Sequence, residues 1–299
     1  MILPHSPASG LEDLLIAPPV LGEYDRGMKA FPAVMLGGRR FLVRKVEIRM
    51  CKFYSIDCKG EVESEKLLSE KEFVFLYSNE YYLKHGCKIK NLRRSSCWVE
   101  KQISSILKNG IQCELDVVHI MAWKIGKINH AESEKKKKFC YTSDWKNAEN
   151  FDVKLYGEPF DLKKLVTYIV QNVERLQTEA ITCPLSVVKE LSGLKIKRLG
   201  PVYIFTLLYF LSKGKYPIYD RFAHVALNVI VSKAAPGTKI YARDLTKEFD
   251  SSKRIENVFD QYINHYVCKL KKVFNCAYKV DRNIDRALWS YGHIFYRSK

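Results

Sequence analysis

From Ser69 onward, apolar residues recur every three or four positions, the period of helices that bury one face. Ser69 and Glu72 form a capping box ahead of Phe73, Leu76 and Tyr77, and Gly86 supplies a stop. A second helix is predicted from Ser96 to Leu107, ending at Asn109-Gly110. A third runs from Asp116 through Val117, Val118, Met121 and Ala122 to Gly126. Helical spacing resumes over Phe160–Gln177, with Leu162, Leu165, Val166, Ile169 and Val173 on one face. Further helices are predicted over Pro184–Leu194, Pro201–Ser212, Asp220–Val231, Ile255–Phe274 and Asn283–Tyr296. Residues 39 to 56 alternate instead, as at Val46-Glu47-Ile48-Arg49-Met50, and predict strand. Residues 129 to 150 read as a polar break, a solvated loop holding the run Lys135 to Lys138. The pattern therefore predicts a mainly α protein with a small β element near the N-terminus.

The first 22 residues carry Pro4, Pro7, Pro18 and Pro19 and read as a loose leader. They lack the basic flank and continuous apolar run of a signal peptide. Residues 23–68 then form the β or irregular element, and 69–299 the helical region. No apolar stretch reaches the roughly 18 residues of a membrane span. The richest stretch, Val202 to Leu211, is too short for one. No membrane partner is expected.

Charge narrows the partner. Among 299 residues, Lys and Arg number 50 and Asp and Glu 33, a formal charge of +17. The excess is larger in the second half, with 25 basic and 14 acidic residues after position 150, against 25 and 19 before it. Such an excess points to a polyanion, most simply nucleic acid. The nine cysteines are scattered and form no CxxC pair, which excludes a zinc ribbon or thioredoxin-type motif. The pattern suits free thiols in a reducing cytoplasm (nucleoid) or nucleus rather than a secreted protein.

The stretch that carries chemistry is 184 to 231. An amphipathic helix bearing Leu185, Val188 and Leu191 ends near Ser192-Gly193. A basic turn follows, Lys195-Ile196-Lys197-Arg198, closing at Leu199-Gly200. Pro201 fits a first helical position, where its missing N–H costs nothing. The helix it opens is apolar nearly all round, the mark of a buried helix, and leaves through Lys213-Gly214-Lys215. The link Tyr216-Pro217-Ile218-Tyr219 then delivers Asp220 to the next helix start. A turn of this kind presents backbone N–H groups to a phosphate without reading sequence, and its lysines and arginine add Coulomb attraction. A plain helical hairpin with a solvated basic turn has the same outline.

This layout resembles the helix-hairpin-helix DNA glycosylase superfamily. In that family a hairpin of the form L-P-G-V-G-R-K precedes an apolar helix, and a P-x-x-D motif sets an essential aspartate at a helix start. Here Leu199-Gly200-Pro201-Val202 resembles the end of the hairpin, within 184–212, and Pro217-Ile218-Tyr219-Asp220 the aspartate motif. Lys195 to Arg198 replace the small Gly-containing half of the turn. The resemblance implies a two-lobed helical fold and a glycosylase that flips a base out of double-stranded DNA. Asp220 would be the catalytic carboxylate. Lys195, Lys197, Arg198, Gly200, Lys213 and Lys215 would bind the DNA backbone. Strand-cleaving members carry a lysine two residues after the hairpin's last glycine. Val202 stands there, 18 residues before Asp220, so the resemblance implies a monofunctional enzyme that forms no Schiff base.

Hydrolysis of an N-glycosidic bond builds positive charge on the sugar, which a fixed carboxylate stabilises. An aspartate at a helix start is most often only a cap. A flipped base needs a pocket of aromatic faces. Trp123, Trp289, Tyr291 and His293 are the candidates, the last three because the final helix lines the base pocket in related enzymes. The resemblance further implies a monomer without an iron–sulfur cluster, since only Cys268 and Cys276 lie near the C-terminus, and a hairpin that can hold a monovalent cation. A damaged or enzymatically modified base is the implied target, in DNA repair or in defence against phage with modified DNA. Two rivals stand beside this reading: a non-catalytic helix-hairpin-helix DNA-binding protein, and a lyase using a hairpin lysine such as Lys195 or Lys197.

Overall fold

The computed structural model describes residues 53–56, 62–81, 96–132, 137–232, 254–274 and 281–297. All of them belong to the unit Arg49–Lys299. The leader, most of residues 23–68, the Gly86 stop, Lys135 and Lys136 lie outside the described residues.

Helices dominate the described residues, with a few small strands. Strands β1 (Phe53–Ile56) and β2 (Val62–Leu68) pair antiparallel. Helix α1 (Glu70–Glu80) opens on the expected capping box. The Ser69 hydroxyl accepts from Glu72 N, and the Glu72 carboxylate accepts from Ser69 N at 2.7 Å. Helices α2 (Cys97–Asn109) and α3 (Glu114–Lys124) follow, α2 capped by the Ser96 hydroxyl and closed at Gly110, φ +86°.

Two expectations need correction. The polar break is a β-hairpin, with β3 (Ile128–Glu132) paired to β4 (Lys137–Tyr141) in the register His130↔Phe139. Its strand residues are mostly polar and carry little strand signal of their own. Cross-element aromatic packing settles them: Phe139 lies 4.9 Å from Trp98 and 4.0 Å from His119, ring centre to centre. The second correction concerns Phe160–Gln177, which is two helices, α4 (Leu162–Gln171) and α5 (Val173–Thr182). The break falls at Asn172, whose side-chain amide donates to Tyr168 O at 2.9 Å. Asparagine offers the backbone such a local alternative, and a periodic apolar face does not reveal it. Between the hairpin and α4, the short strands β5 (Lys154–Leu155) and β6 (Glu158–Pro159) form a tight turn through Tyr156 and Gly157.

Helices α6 (Pro184–Gly193), α7 (Pro201–Leu211) and α8 (Arg221–Ser232) occupy the predicted segments. Every residue of α7 from Tyr203 to Leu211 is buried, as its all-round apolar sequence requires. Helix α9 runs without a break through Ile255–Gln261, a π-helical turn at Tyr262–Val267, and Cys268–Val273. Helix α10 (Arg282–Arg297) packs on both α1 and α8. Its crossing of α8 is close enough that a Cβ on Gly292 would stand 1.9 Å from Phe222 O.

Two histidines, the buried His224 and the half-buried His119, are held below the ordinary imidazole range. Burial pushes His224 down to about 3, helped by the charges of Lys269 and His265, and burial lowers His119 to about 4 against the pull of Asp116. His224 Nδ1 meets Tyr219 OH at 3.2 Å, while its Nε2 has no hydrogen-bond partner among the described residues. A histidine that binds its proton less readily folded than unfolded contributes stability above the unfolded value near 6.5. That stability is lost as pH falls toward the folded value. Chemical denaturation should therefore show stability falling below about pH 6.5, by up to roughly 1.4 kcal/mol per pH unit for His224. His224→Leu should flatten that slope, and an unchanged slope would rule out His224 as its source.

Candidate functional site

The Pro217–Asp220 link joins α7 to α8 with Pro217, Ile218 and Tyr219 buried, and its carbonyls need partners. Three side chains from two other elements supply them. Tyr262 OH donates to Pro217 O at 2.6 Å, Tyr266 OH to Ile218 O at 3.1 Å, and Lys124 Nζ to Tyr219 O at 2.9 Å. Both tyrosines lie on the π turn of α9, which brings them onto consecutive carbonyls. Such turns often mark functional sites.

Asp220 sits where this clamped link meets α8. Its carbonyl accepts from His224 N and its Oδ1 from Phe222 N, both at 2.9 Å, so it caps the helix. The other oxygen, Oδ2, lies 3.3 Å from Lys124 Nζ. The Lys124 side chain is 8% exposed and that of Asp220 21%. Asp220 thus keeps a carboxylate at an opening while both oxygens are held.

Two cavities meet there. The first, about 250 Å³, is lined by Trp123, Trp289, His293, Phe222 and Asp220, with Arg282 and Asp285. Three of the four aromatic residues proposed from sequence come together in it. The His293 ring packs, tilted, against both Phe222 and Trp289, at centroid distances of 3.5 and 3.8 Å. Tyr291 does not belong: it is fully buried and packs edge-on against Phe73 and Tyr77, at 5.1 and 4.9 Å. The helical period explains the split. Positions 282, 285, 289 and 293 share one face of α10, and 291 points the other way, into the core.

Behind the aromatic wall lies an ionic network that sequence reasoning missed. Glu100 on α2 is buried and accepts from Trp123 Nε1 at 2.7 Å, Tyr81 OH at 2.9 Å and Arg286 at 3.0 Å. Arg282 also reaches Glu100, at 3.3 Å, and pairs with Asp285. Burial pushes the Glu100 carboxyl up, but the two guanidinium groups outweigh it and hold it at about 2. At Asp285 the balance is reversed, and burial raises its carboxyl above the ordinary range despite Arg282. Arg282 lies 4.9 Å over the Trp123 ring, fixing that ring as a wall. Trp289 and His293 carried a signal for Arg282 and Asp285, which lie on the same helical face. Nothing in the sequence pointed to Glu100, which stands 182 positions from Arg282 along the chain.

The second cavity is a groove of about 730 Å³ running from Asp220 to the hairpin. Lys124, Lys127, Lys154, Arg198 and Arg221 line it, against the acidic Asp144 and Asp220. Gly200, Pro201 and Val202 form its hairpin end, where the Val202 N–H belongs to the open first turn of α7. The turn is tight, with positive φ at Lys195 (+53°) and Arg198 (+73°), a conformation glycine adopts more readily. Gly200 N donates to Arg198 O at 2.9 Å, and Leu199 N to Ile196 O at 3.1 Å. Among the described residues there is no cluster of three His, Cys, Asp or Glu side chains able to hold a metal.

The sequence-proposed backbone contacts divide. Arg198 and Gly200 line the groove. Lys197 is tied to Glu158 at 2.8 Å by an exposed pair, and Lys195 is not among the lining residues. Lys213 and Lys215 follow the opposite end of α7, about 16 Å along an eleven-residue helix. Lys215 there donates to Ile181 O. These two do not join the hairpin site, because a helix carries its two ends apart.

Compared with known proteins, the chain matches no protein-family model, no curated protein and no solved structure. None of the described helices is long and apolar enough to cross a membrane.

Proposed function

We propose that the protein releases a damaged or modified base from double-stranded DNA by hydrolysing its N-glycosidic bond, within a two-lobed helix-hairpin-helix glycosylase arrangement. The observation that carries this reading is that Asp220 borders both an aromatic cavity and a basic groove. A duplex lying along the groove would meet Lys127, Lys154, Arg198 and the first turn of α7 with its phosphates. A nucleotide swung past Asp220 would place its base among Trp123, Trp289 and His293 and its sugar beside the carboxylate. As the bond breaks, positive charge grows on that sugar, and Asp220, already held in place, stabilises it and orients water. A protein that only bound DNA would need Asp220 as the cap of α8 but would not need a carboxylate facing the sugar.

The test is incubation with duplexes carrying a panel of modified bases, followed by mass detection of free base. Release of one or more bases is expected. Tight binding of every duplex with no base freed would leave the non-catalytic reading in its place.

A separate prediction concerns the groove. Arg198→Ala should weaken binding to all duplexes about equally and lower the salt slope by about 0.9 for each phosphate it no longer neutralises. Lys197→Ala should do less, since that side chain is engaged by Glu158. Binding against salt for target and non-target duplexes checks both. A change in base preference on replacing Arg198 would contradict its assignment to the backbone.

A further inference from the structure

Two buried carboxyl groups share Arg282, and they are unequally served. Glu100 accepts from Trp123, Tyr81, Arg286 and Arg282, and it is held at about 2. Asp285 pairs through Oδ2 with Arg282, three residues earlier on α10. Its other oxygen, Oδ1, has no hydrogen-bond partner among the described residues, although the side chain is only 10% exposed. A carboxylate oxygen taken out of water without a donor is costly, and burial raises this carboxyl above its ordinary range despite Arg282 and Lys124. Asp285 lines the aromatic cavity, on the face of α10 that also carries Trp289 and His293. The two cations in the lining are already engaged, Lys124 by Tyr219 O and Asp220, and Arg282 by Glu100 and Asp285. The cavity therefore offers a fixed acceptor beside aromatic faces.

We propose that Asp285 selects the base, by accepting a hydrogen bond from an N–H or O–H group on the edge of the flipped base that reaches α10. This rests on reading the cavity as a base pocket. The faces of Trp123 and Trp289 can stack on any base, because every base has a π-face. A carboxylate oxygen discriminates. A ring N–H, an exocyclic amine or a hydroxyl completes it. A carbonyl in the same place would meet a negative charge, and a hydrogen or methyl group would leave the oxygen unpaired and shut off from water. Sites built around a donated hydrogen bond reject analogues that lack the donor far more strongly than apolar pockets reject a missing methylene. Arg282, itself held by Glu100 and lying over the Trp123 ring, keeps the acceptor in place. The two aspartates then divide the nucleotide, Asp220 facing its sugar and Asp285 its base.

The experiment measures binding apart from base release. The full chain is given duplexes with one 2′-fluorinated nucleotide, whose glycosidic bond resists cleavage because fluorine disfavours positive charge on the sugar. The duplexes come in pairs that differ in their donors: 2,6-diaminopurine against purine, uracil against N3-methyluracil, and 5-hydroxymethyluracil against thymine. In at least one pair the donor-bearing member should bind at least about tenfold more tightly. Removing a pairing donor weakens the duplex and eases flipping, so that bias opposes the expected result. Asp285→Ala should bring the ratio to within about twofold. In Asp285→Asn the donor-only Arg282 takes the amide oxygen, which turns the NH₂ group toward the cavity, so the preference should vanish or reverse. Circular dichroism confirms that each variant is folded. Equal binding within every pair by the wild type overturns the proposal, as does a preference that persists in either folded variant. Base release is scored separately on unfluorinated duplexes. Release without a donor preference sinks this proposal alone. A donor preference that both variants lose, with no base released from any duplex, sinks the excision reading alone.

Discussion

Asp220→Asn is expected to abolish base release, by at least about 10²–10³-fold, while leaving duplex affinity within a few-fold of the wild type. The substitution isolates the charge. Asn caps a helix about as well as Asp, so the bond from Phe222 N to the side-chain oxygen can persist and α8 should keep its start. What disappears is the negative charge facing the sugar. Lys124 keeps its hydrogen bond to Tyr219 O, so the clamped link should not collapse. Single-turnover release of the base, measured with binding and melting on the same preparation, checks this. Release at the wild-type rate would reduce Asp220 to a helix cap and remove the proposed mechanism.

The second large effect concerns a residue with no functional group. Gly292→Ala should destabilise the fold by about 1–3 kcal/mol or more, because the new methyl would meet the carbonyl of Phe222 and not a side chain that can turn aside. The substitution would ordinarily favour a helix by up to ~1 kcal/mol, so the sign is decided by contact and not by propensity. At about 2–4 °C per kcal/mol, the melting temperature should fall by several degrees. The same displacement would part Phe222 from His293 and open the aromatic cavity, so base release should fall as well. Gly193→Ala is the control. Its Cβ would meet nothing within 4 Å, and it should melt at or slightly above the wild type. Equal melting of the two variants would mean that α10 can ride over α8 without this contact.

Local chemistry accounts for what could be read along the chain. The box at Ser69 and Glu72, Pro201 at the start of α7 and the burial of that helix all follow from residues close in sequence. Asp220 at the start of α8 belongs with them, as do Trp289 and His293 on one face of α10. Elsewhere, neighbours in space take over. Phe139 depends on Trp98 and His119 to become part of a strand pair, and Asn172 breaks a helix whose apolar face runs straight through it. Tyr291 is as aromatic as Trp289 and differs in the direction its position faces.

A mainly helical chain with strong positive charge, a basic turn between two helices, and an aspartate at a helix start are all written in residue order. Each is a matter of period, composition or local capping. The surroundings of that aspartate are not, and they exist only once the chain is packed. Tyr262 and Tyr266 reach back more than forty positions to clamp its link, Lys124 arrives from α3 to meet its carboxylate, and Glu100 gathers Arg282, Arg286 and Trp123 behind the cavity. The physical reason is the cost of burial. Carbonyls and charges taken out of water must find partners wherever the packed chain brings them, and no periodicity along the sequence records which partners those are.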